Sequence, residues 1–307
     1  MSDLAQLLLP AVRWDAARGF ADATADIERA LALGVGGFII FGGERDAVAA
    51  LTAQLRAGSR HPLLIAADLE RGAGQQFAGC TPLPPLAALG SLGDPLALRV
   101  AGRLTAREAL ALGVNWTYAP VADLDLEPDN PIVGTRSLGA DPDAVSAAVA
   151  ECIDAIQGEG MLACAKHFPG HGRTVTDSHA VLPVVNATRE QLQVDLTPFV
   201  AAIDAGVASV MTAHVAYPAL DPTGVASLVA PSQHGPVQRL SDRERGVLEL
   251  MAQGLTNTGI ATRLVVSERT VEAHVRHILT KLDIPESEGG HRRVLAVLAY
   301  LDGARDA

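Results

Sequence analysis

Residues 166–179 read KHFPGHGRTVTDSH, and this stretch is the most informative about the fold. It places three histidines, one lysine and one aspartate within fourteen residues. Pro169 prevents a helix from running through the stretch, and Gly170 and Gly172 allow the backbone to bend sharply. The apolar residues 161–165 that precede it predict a buried strand. A buried strand that leads into a polar, glycine-containing loop is typical of functional sites in α/β barrels.

Around this stretch, short apolar runs alternate with longer amphipathic runs over residues 1–215. The alternation predicts parallel strands connected by right-handed helical crossovers. We expect strands at residues 7–12, 37–41, 63–67, 115–119, 162–166 and 209–212, and helices at residues 23–33, 46–57, 95–112, 142–158 and 189–205. This order predicts an α/β fold, namely an incomplete (β/α)8 TIM-type barrel of about six βα units.

Polar residues follow four of the predicted strands. Asp68, Asp123 and His214 come after the third, fourth and sixth strands, and Lys166 and His167 end the fifth. Because the carboxyl ends of the strands meet at one face of such a barrel, we expect a site at this face. His214 is expected to pack or to form hydrogen bonds locally.

The run at residues 166–179 resembles the signature of family 3 glycoside hydrolases, specifically the bacterial β-N-acetylhexosaminidases. The resemblance implies that His179 is the general acid/base and that Asp177 is its carboxylate partner. It also implies that Asp68, Arg136, Lys166 and His167 bind a sugar. Two alternatives remain on the residues alone: the three loop histidines bind a metal, or Asp68 and Arg136 belong to stabilising ion pairs. We expect neither a metal nor a cofactor.

The sequence departs from this family at two places. Gln76 stands where close relatives carry an arginine, so a changed sugar affinity or preference is expected. Retaining hydrolysis also requires a nucleophilic carboxylate. In the family this is an aspartate at the end of the seventh strand, and no such strand is predicted here. Asp221 lies in a proline-flanked turn, and we do not assign it as the nucleophile.

The C-terminal residues predict a set of short, capped helices. Ser241 and Glu244 form a capping-box pattern at the start of a first helix, and Gly254 ends it. Ser267 is predicted to cap a later helix that spans residues 268–282. Residues 240–282 resemble the LuxR-type helix-turn-helix of bacterial transcription regulators.

This second resemblance implies that the helix after Ser267 enters the major groove of double-stranded DNA. The DNA contacts implied are Ser267, Arg269, Thr270, Val271, His274 and Lys281. Glu272 replaces a basic residue that many relatives carry, which is expected to alter base preference and not to abolish binding. A further helix is predicted at residues 290–301, where relatives commonly dimerise, so a homodimer is expected.

Charge is unevenly distributed along the chain, whose net charge is −11. Residues 1–231 contain 14 basic and 25 acidic side chains, and residues 232–307 contain ten of each. The acidic N-terminal part therefore does not have the charge of a nucleic-acid-binding domain, whereas the C-terminal part is compatible with one.

The remaining composition limits the class of protein. Three cysteines are too few and too scattered for a disulfide framework, which fits a reducing compartment. The N-terminal residues do not have the pattern of a signal peptide, and no apolar run has the length of a membrane span. We therefore expect a cytoplasmic protein without a membrane partner.

Together these patterns predict three segments: a partial barrel at residues 1–222, a linker at residues 223–239 and a helix-turn-helix domain at residues 240–303. The favoured hypothesis is a DNA-binding regulator whose N-terminal domain binds an amino sugar or glycoside. The alternatives are an active β-N-acetylhexosaminidase in carbohydrate or cell-wall metabolism and a nonfunctional fusion of two gene fragments.

Overall fold

A computed structural model describes residues 3–178, 182–220, 240–252, 255–264, 266–282, 284 and 296. The chain divides into two compact units, Met1–Thr223 and Gly224–Ala307. The predicted linker, Asp221 and most of the predicted helix at residues 290–301 lie outside the described residues. The domain limits given above therefore remain a prediction.

The described part of the N-terminal unit contains six strands: β1 Ala11–Arg13, β2 Gly37–Phe41, β3 Leu64–Ala67, β4 Trp116–Thr117, β5 Cys164–Phe168 and β6 Ser209–Thr212. Strands β1 to β4 pair in sequence order and in parallel, and β5 pairs with β6 in parallel. Two parallel bridges, Trp116 to Leu162 and Val121 to Lys166, connect the β4 region to the β5 region. All these strands therefore direct their carboxyl ends the same way.

Helices connect the strands as the alternation predicted. They are α1 Thr24–Leu33, α2 Arg45–Gly58, α3 Leu86–Leu92, α4 Pro95–Ala111, α5 Pro142–Gln157 and α6 Arg189–Asp204. The side chains of Asp94 and Asp141 accept hydrogen bonds from the first turns of α4 and α5. Thr188 and Gln191 form a reciprocal capping box at the start of α6. These caps satisfy N–H groups that have no partner inside the helix.

Two elements differ from the sequence prediction. The first strand was expected from residue 7, but Asp3–Leu7 form a 3-10 helix and β1 begins at Ala11. Apolar residues alone do not separate a strand from a short helical turn. Helix α3 was not predicted, because its apolar and small residues follow Pro85 in a short segment without a clear amphipathic repeat.

The core of the N-terminal unit lies between the strands and the helices. Phe38, Ile40 and Ile65 from the strands are fully buried, and Leu55 and Ile153 pack against the same cluster from α2 and α5. Burial of such side chains contributes about 1.5–3 kcal/mol each. The packed core holds the strand ends in fixed positions relative to one another.

The described part of the C-terminal unit contains three helices: α7 Asp242–Ala252, α8 Asn257–Leu264 and α9 Glu268–Lys281. Val247, Ile260, Val271 and Ile278 are fully buried in its core, and Ala296 belongs to the same cluster. Ser267 caps α9, since its hydroxyl oxygen accepts a hydrogen bond from Thr270 N. The predicted helix-turn-helix order is present in these residues.

An ion pair connects α7 to the end of α9. Lys281 Nζ lies 2.7 Å from Glu244 Oε2, and Glu244 also forms the predicted capping box with Ser241. Burial opposes ionisation of Glu244, but the hydrogen bonds from Lys281 and Ser241 outweigh it and hold the pKa at about 2. A lowered pKa stabilises the fold above the ordinary carboxylate pKa, and this stabilisation is lost as pH falls towards the lowered value.

We expect Glu244→Gln to destabilise α7 and α9 at pH 7 and to flatten the loss of stability between about pH 4.5 and pH 2. Hydrogen–deuterium exchange of peptides from both helices measures the change. Glu249→Gln is the matched control, because Glu249 is an exposed carboxylate on the same helix. An acid dependence of exchange that is equal in wild type and Glu244→Gln would contradict the assignment.

Candidate functional site

A cavity of about 680 Å³ lies at the carboxyl ends of the strands in the N-terminal unit. Asp68 follows β3, Lys166 and His167 lie in β5, and Thr212 ends β6. The cavity is lined by charged or titratable side chains, which include Asp68, Glu70, Arg136, Lys166, His167 and His171. The structure thus brings together the four residues predicted to bind a sugar.

Lys166 is the buried centre of this group. Its side chain is 2% exposed, and Nζ lies 2.7 Å from Asp68 Oδ1 and 2.6 Å from Glu70 Oε1. Burial of a lone ammonium ion would cost several kcal/mol, and the contacts with the two carboxylates offset this cost. The lysine therefore ties the end of β5 to the loop after β3.

Glu70 joins Lys166 to Arg136. Arg136 Nη2 and Nε donate to the two carboxylate oxygens of Glu70, at 2.7 and 2.9 Å. Burial raises the pKa of Glu70, but hydrogen bonding to Arg136 and the charge of Lys166 outweigh it and hold the pKa at about 2. Glu70 was not among the predicted site residues. Its two-residue spacing from Asp68 is the signal, because alternate residues of extended chain point to the same side.

Asp123 organises the backbone of the histidine loop. It is fully buried, and its Oδ1 accepts hydrogen bonds from the backbone N of His167, at 3.1 Å, and of His171, at 2.7 Å. Its Oδ2 lies 2.6 Å from His167 Nδ1. One buried aspartate thus fixes both the start of the loop and the orientation of the His167 ring.

His171 holds the later part of the loop. Its Nδ1 lies 2.8 Å from Thr174 Oγ1, and its Nε2 lies 3.0 Å from Ser178 Oγ. Burial is the main reason that the pKa of His171 is below its usual value, so the ring is neutral at pH 7. Asp177 is exposed on this loop, and His179 lies outside the described residues. The predicted pairing of His179 with Asp177 therefore remains a prediction.

The two loop glycines are required by close packing. Gly170 has φ +133°, a conformation that L side chains rarely adopt, and a Cβ at Gly172 would lie 1.9 Å from the carbonyl oxygen of Leu124. The hydroxyl of Tyr217 donates to the carbonyl oxygen of Gly170. Arg173 forms a bidentate ion pair with Asp195 on α6. The described part of the loop is thus attached to its surroundings at several points.

Gln76 lines the same cavity. Its Oε1 accepts a hydrogen bond of 3.0 Å from the backbone N of Gly42. The glutamine therefore supports the loop after β2 and contributes no charge.

His214 is exposed at the rim of the cavity. Across the described part of the chain, no cluster of three histidine, cysteine or carboxylate side chains has the arrangement of a metal site.

In the C-terminal unit, α9 presents part of the predicted DNA-binding set to solvent. Ser267, Arg269 and Thr270 are exposed, and His274 is half-buried. Val271 is 0% exposed and packs in the core of the unit, so we assign it to the core and remove it from the proposed DNA contacts. The Lys281 ammonium is engaged by Glu244. Arg276, which was not predicted, is exposed on the same face of α9 as Arg269.

Two family models match the chain, and they divide it near residue 238. The model of the glycosyl hydrolase family 3 N-terminal domain matches residues 2–237. The chain belongs to glycosyl hydrolase family 3. The model of bacterial regulatory proteins of the luxR family matches residues 238–289. The chain therefore carries a family 3 domain and a LuxR-type DNA-binding domain.

Similar proteins of known sequence match the family 3 domain. A β-hexosaminidase of Chromobacterium violaceum is 41% identical over 198 residues, which is 61% of this chain and 55% of that protein. A β-N-acetylglucosaminidase/β-glucosidase of Cellulomonas fimi is 42% identical over 175 residues, 57% of this chain and 31% of that protein. The chain spans about half the length of the β-hexosaminidases it matches.

Solved structures of family members resemble the N-terminal fold. NagZ of Neisseria gonorrhoeae bound to N-trifluoroacetyl-D-glucosamine is 34% identical with a TM-score of 0.62, over 69% of this chain and 65% of that one. A family 3 β-N-acetylglucosaminidase of Paenibacillus is 27% identical with a TM-score of 0.66, over 95% of this chain and 66% of that one. These matches agree with the parallel α/β architecture.

We expect Glu70→Leu to reduce the free energy of unfolding of the family 3 domain by about 3–5 kcal/mol, because it removes one partner of a buried ionic network. Urea unfolding followed by tryptophan fluorescence measures the loss, since both tryptophans, Trp14 and Trp116, lie in this domain.

Glu151→Leu is the control. Glu151 pairs with the half-exposed Arg99 on the helical surface, where water screens the pair, and we expect a much smaller loss. Equal losses in the two variants would contradict the structural role of the Glu70 network.

Proposed function

We propose that this protein is a DNA-binding transcription regulator of LuxR type whose family 3 domain binds an N-acetylglucosamine-type sugar. The observation that carries the proposal is the combination, in one chain, of an exposed charged helix face that includes Arg269 and Arg276 and a polar cavity at the strand ends. The proposal places the protein in the cytoplasm, where it meets double-stranded DNA. Within the described residues, no helix combines the length and the apolar character needed to cross a bilayer.

The proposed DNA contacts come from α9 and its cap. Arg269 and Thr270 are exposed at the start of the helix, beside Ser267, and His274 follows one turn later. Early residues of a recognition helix reach base edges, while cationic side chains neutralise phosphates. Lys281 is proposed as a phosphate contact at the far end of the helix, in exchange with its bond to Glu244. Operator binding by a homodimer is part of the proposal.

The proposed sugar site uses Asp68, Arg136, Lys166 and His167. A cavity of about 680 Å³ accommodates a small ligand with several hydroxyl groups. The carboxylate of Asp68 is suited to accept hydrogen bonds from hydroxyls, and the guanidinium of Arg136 is suited to donate them. Nδ1 of His167 faces the Asp123 carboxylate, so Nε2 is the ring nitrogen that can accept from a hydroxyl. The network around Lys166 fixes these groups before a ligand binds, which reduces the entropic cost of binding.

Hydrolysis is the second candidate function, and the anchored loop at residues 166–178 favours it. In this alternative His179 is the acid/base, Asp177 orients it, and the protein is an active β-N-acetylhexosaminidase. We favour sugar binding without turnover, because the predicted barrel has about six βα units and lacks the strand that carries the nucleophile in the family. Loss of a nucleophile commonly lowers the rate by orders of magnitude.

We expect N-acetylglucosamine to raise the unfolding temperature of the family 3 domain in the full-length chain. A ligand at about 100 times its Kd stabilises the native state by about 2.7 kcal/mol, which corresponds to a shift of roughly 5–10 °C. Tryptophan fluorescence during heating reports this domain. Asp68→Asn is expected to abolish the shift, whereas Asp125→Asn, an exposed aspartate outside the cavity, retains it. No shift in wild type at any sugar concentration would reject the sugar site.

We expect the full-length chain to bind duplex DNA at low salt, as measured by fluorescence anisotropy. Arg269→Ala should weaken binding similarly on all sequences and reduce the salt slope by about 1, because it removes one phosphate-neutralising charge. Arg103→Ala removes an arginine from the surface of α4 and serves as the control. Absence of DNA binding by wild type at low salt would reject the regulator proposal.

A further inference from the structure

One face of α9 carries charged side chains that no intramolecular contact explains. Arg269, Glu272, Ala273 and Arg276 line a shallow depression on this helix together with Glu268. Their spacing of three, four and seven residues puts them on one side of the helix. Within the described residues, no hydrogen bond or ion pair engages the side chain of Arg269, Glu272 or Arg276.

The opposite side of α9 fixes the direction of this face. Val271, Ile278 and Leu279 are buried in the core of the C-terminal unit. Because these residues point inwards, the side chains of Glu272 and Arg276 point to solvent, and both are exposed. A rotation of α9 that hid the charged face would expose the apolar side chains, so the core determines which residues are presented to a partner.

Glu272 lies between Arg269 and Arg276 on this charged face of α9. Glu272 repels phosphates, so it opposes general affinity for DNA and is useful only where it meets a hydrogen-bond donor. In the major groove the N4 amino group of cytosine is a donor that a glutamate accepts from, while arginine pairs with O6 and N7 of guanine. Ala273, between the charged residues, leaves room for a close approach of the helix to the base edges.

We propose that α9 reads a C·G-containing operator, in which Glu272 accepts a hydrogen bond from cytosine N4 and Arg276 donates to a guanine. This inference rests on the proposed DNA-binding function and specifies its ligand. Glu272 is then the specificity-determining residue of the helix, and Arg276 supplies the charge that compensates for it.

Glu268 provides a matched comparison on the same helix. It is one turn before Glu272 and carries the same charge, but its Oε1 accepts a hydrogen bond of 3.0 Å from Thr258 Oγ1 on α8. Its carboxylate is therefore engaged within the domain. Glu268→Gln and Glu272→Gln remove the same charge, and both positions are exposed, so both variants are expected to fold.

The experiment starts with selection of duplexes from a randomised pool by the full-length wild-type chain. Anisotropy titrations then compare the selected duplex with one in which the C·G pair is changed to A·T. We expect wild type to prefer the C·G duplex by roughly 5- to 150-fold. Glu272→Gln should shift the preference towards A·T, because glutamine pairs with adenine N6 and N7. Glu268→Gln should keep the wild-type preference, and Arg276→Ala should reduce affinity for the selected duplex.

The outcomes separate this inference from the function on which it rests. DNA binding with the same base preference in wild type and Glu272→Gln would show that Glu272 does not recognise cytosine. The proposal that the protein is a DNA-binding regulator would still stand. A loss of preference in Glu268→Gln equal to that in Glu272→Gln would also overturn it, because charge alone would then be the cause. Failure of wild type to bind any duplex would overturn both proposals.

Discussion

The buried contact of Lys166 with Asp68 and Glu70 is the constraint on which the N-terminal site depends. The Lys166 side chain is 2% exposed, and the two carboxylates offset the cost of its burial, so these contacts hold the loop after β3 against the end of β5. Glu70 in turn fixes Arg136, and these side chains surround the cavity before any ligand enters. The same contacts that offset the burial of a charge therefore shape a polar cavity.

Much of this arrangement follows from the sequence, and the remainder depends on contacts between distant segments. Alternation of apolar and amphipathic runs predicts the strands, and parallel strands place Asp68, Lys166 and His167 at one face. The two-residue spacing places Glu70 beside Asp68, but its contact with Arg136 could not be predicted, because Arg136 is 66 residues away in the sequence. The face of α9 could have been predicted: Val271, Val275, Ile278 and Leu282 repeat at helical spacing and indicate a core position for Val271.

The two domains differ in whether their charged side chains are paired within the domain. In the family 3 domain, acidic and basic side chains neutralise each other around the cavity. A ligand there would therefore be held by hydrogen bonds to these side chains and not by attraction to a net charge. On α9, Arg269, Glu272 and Arg276 have no partner within the part of the chain that the structure describes, so their charges remain available for a partner molecule. The first arrangement suits a neutral sugar, and the second suits a duplex with a specific sequence.

We propose that the family 3 domain binds an amino sugar without hydrolysing it. Incubation of the full-length chain with a chromogenic β-N-acetylglucosaminide, at concentrations that saturate its thermal stabilisation, tests this claim most directly. We expect no release of the chromophore above the level of a His179→Ala variant. Saturable release in wild type that is lost in both His179→Ala and Asp177→Ala would contradict it and establish the hydrolase alternative.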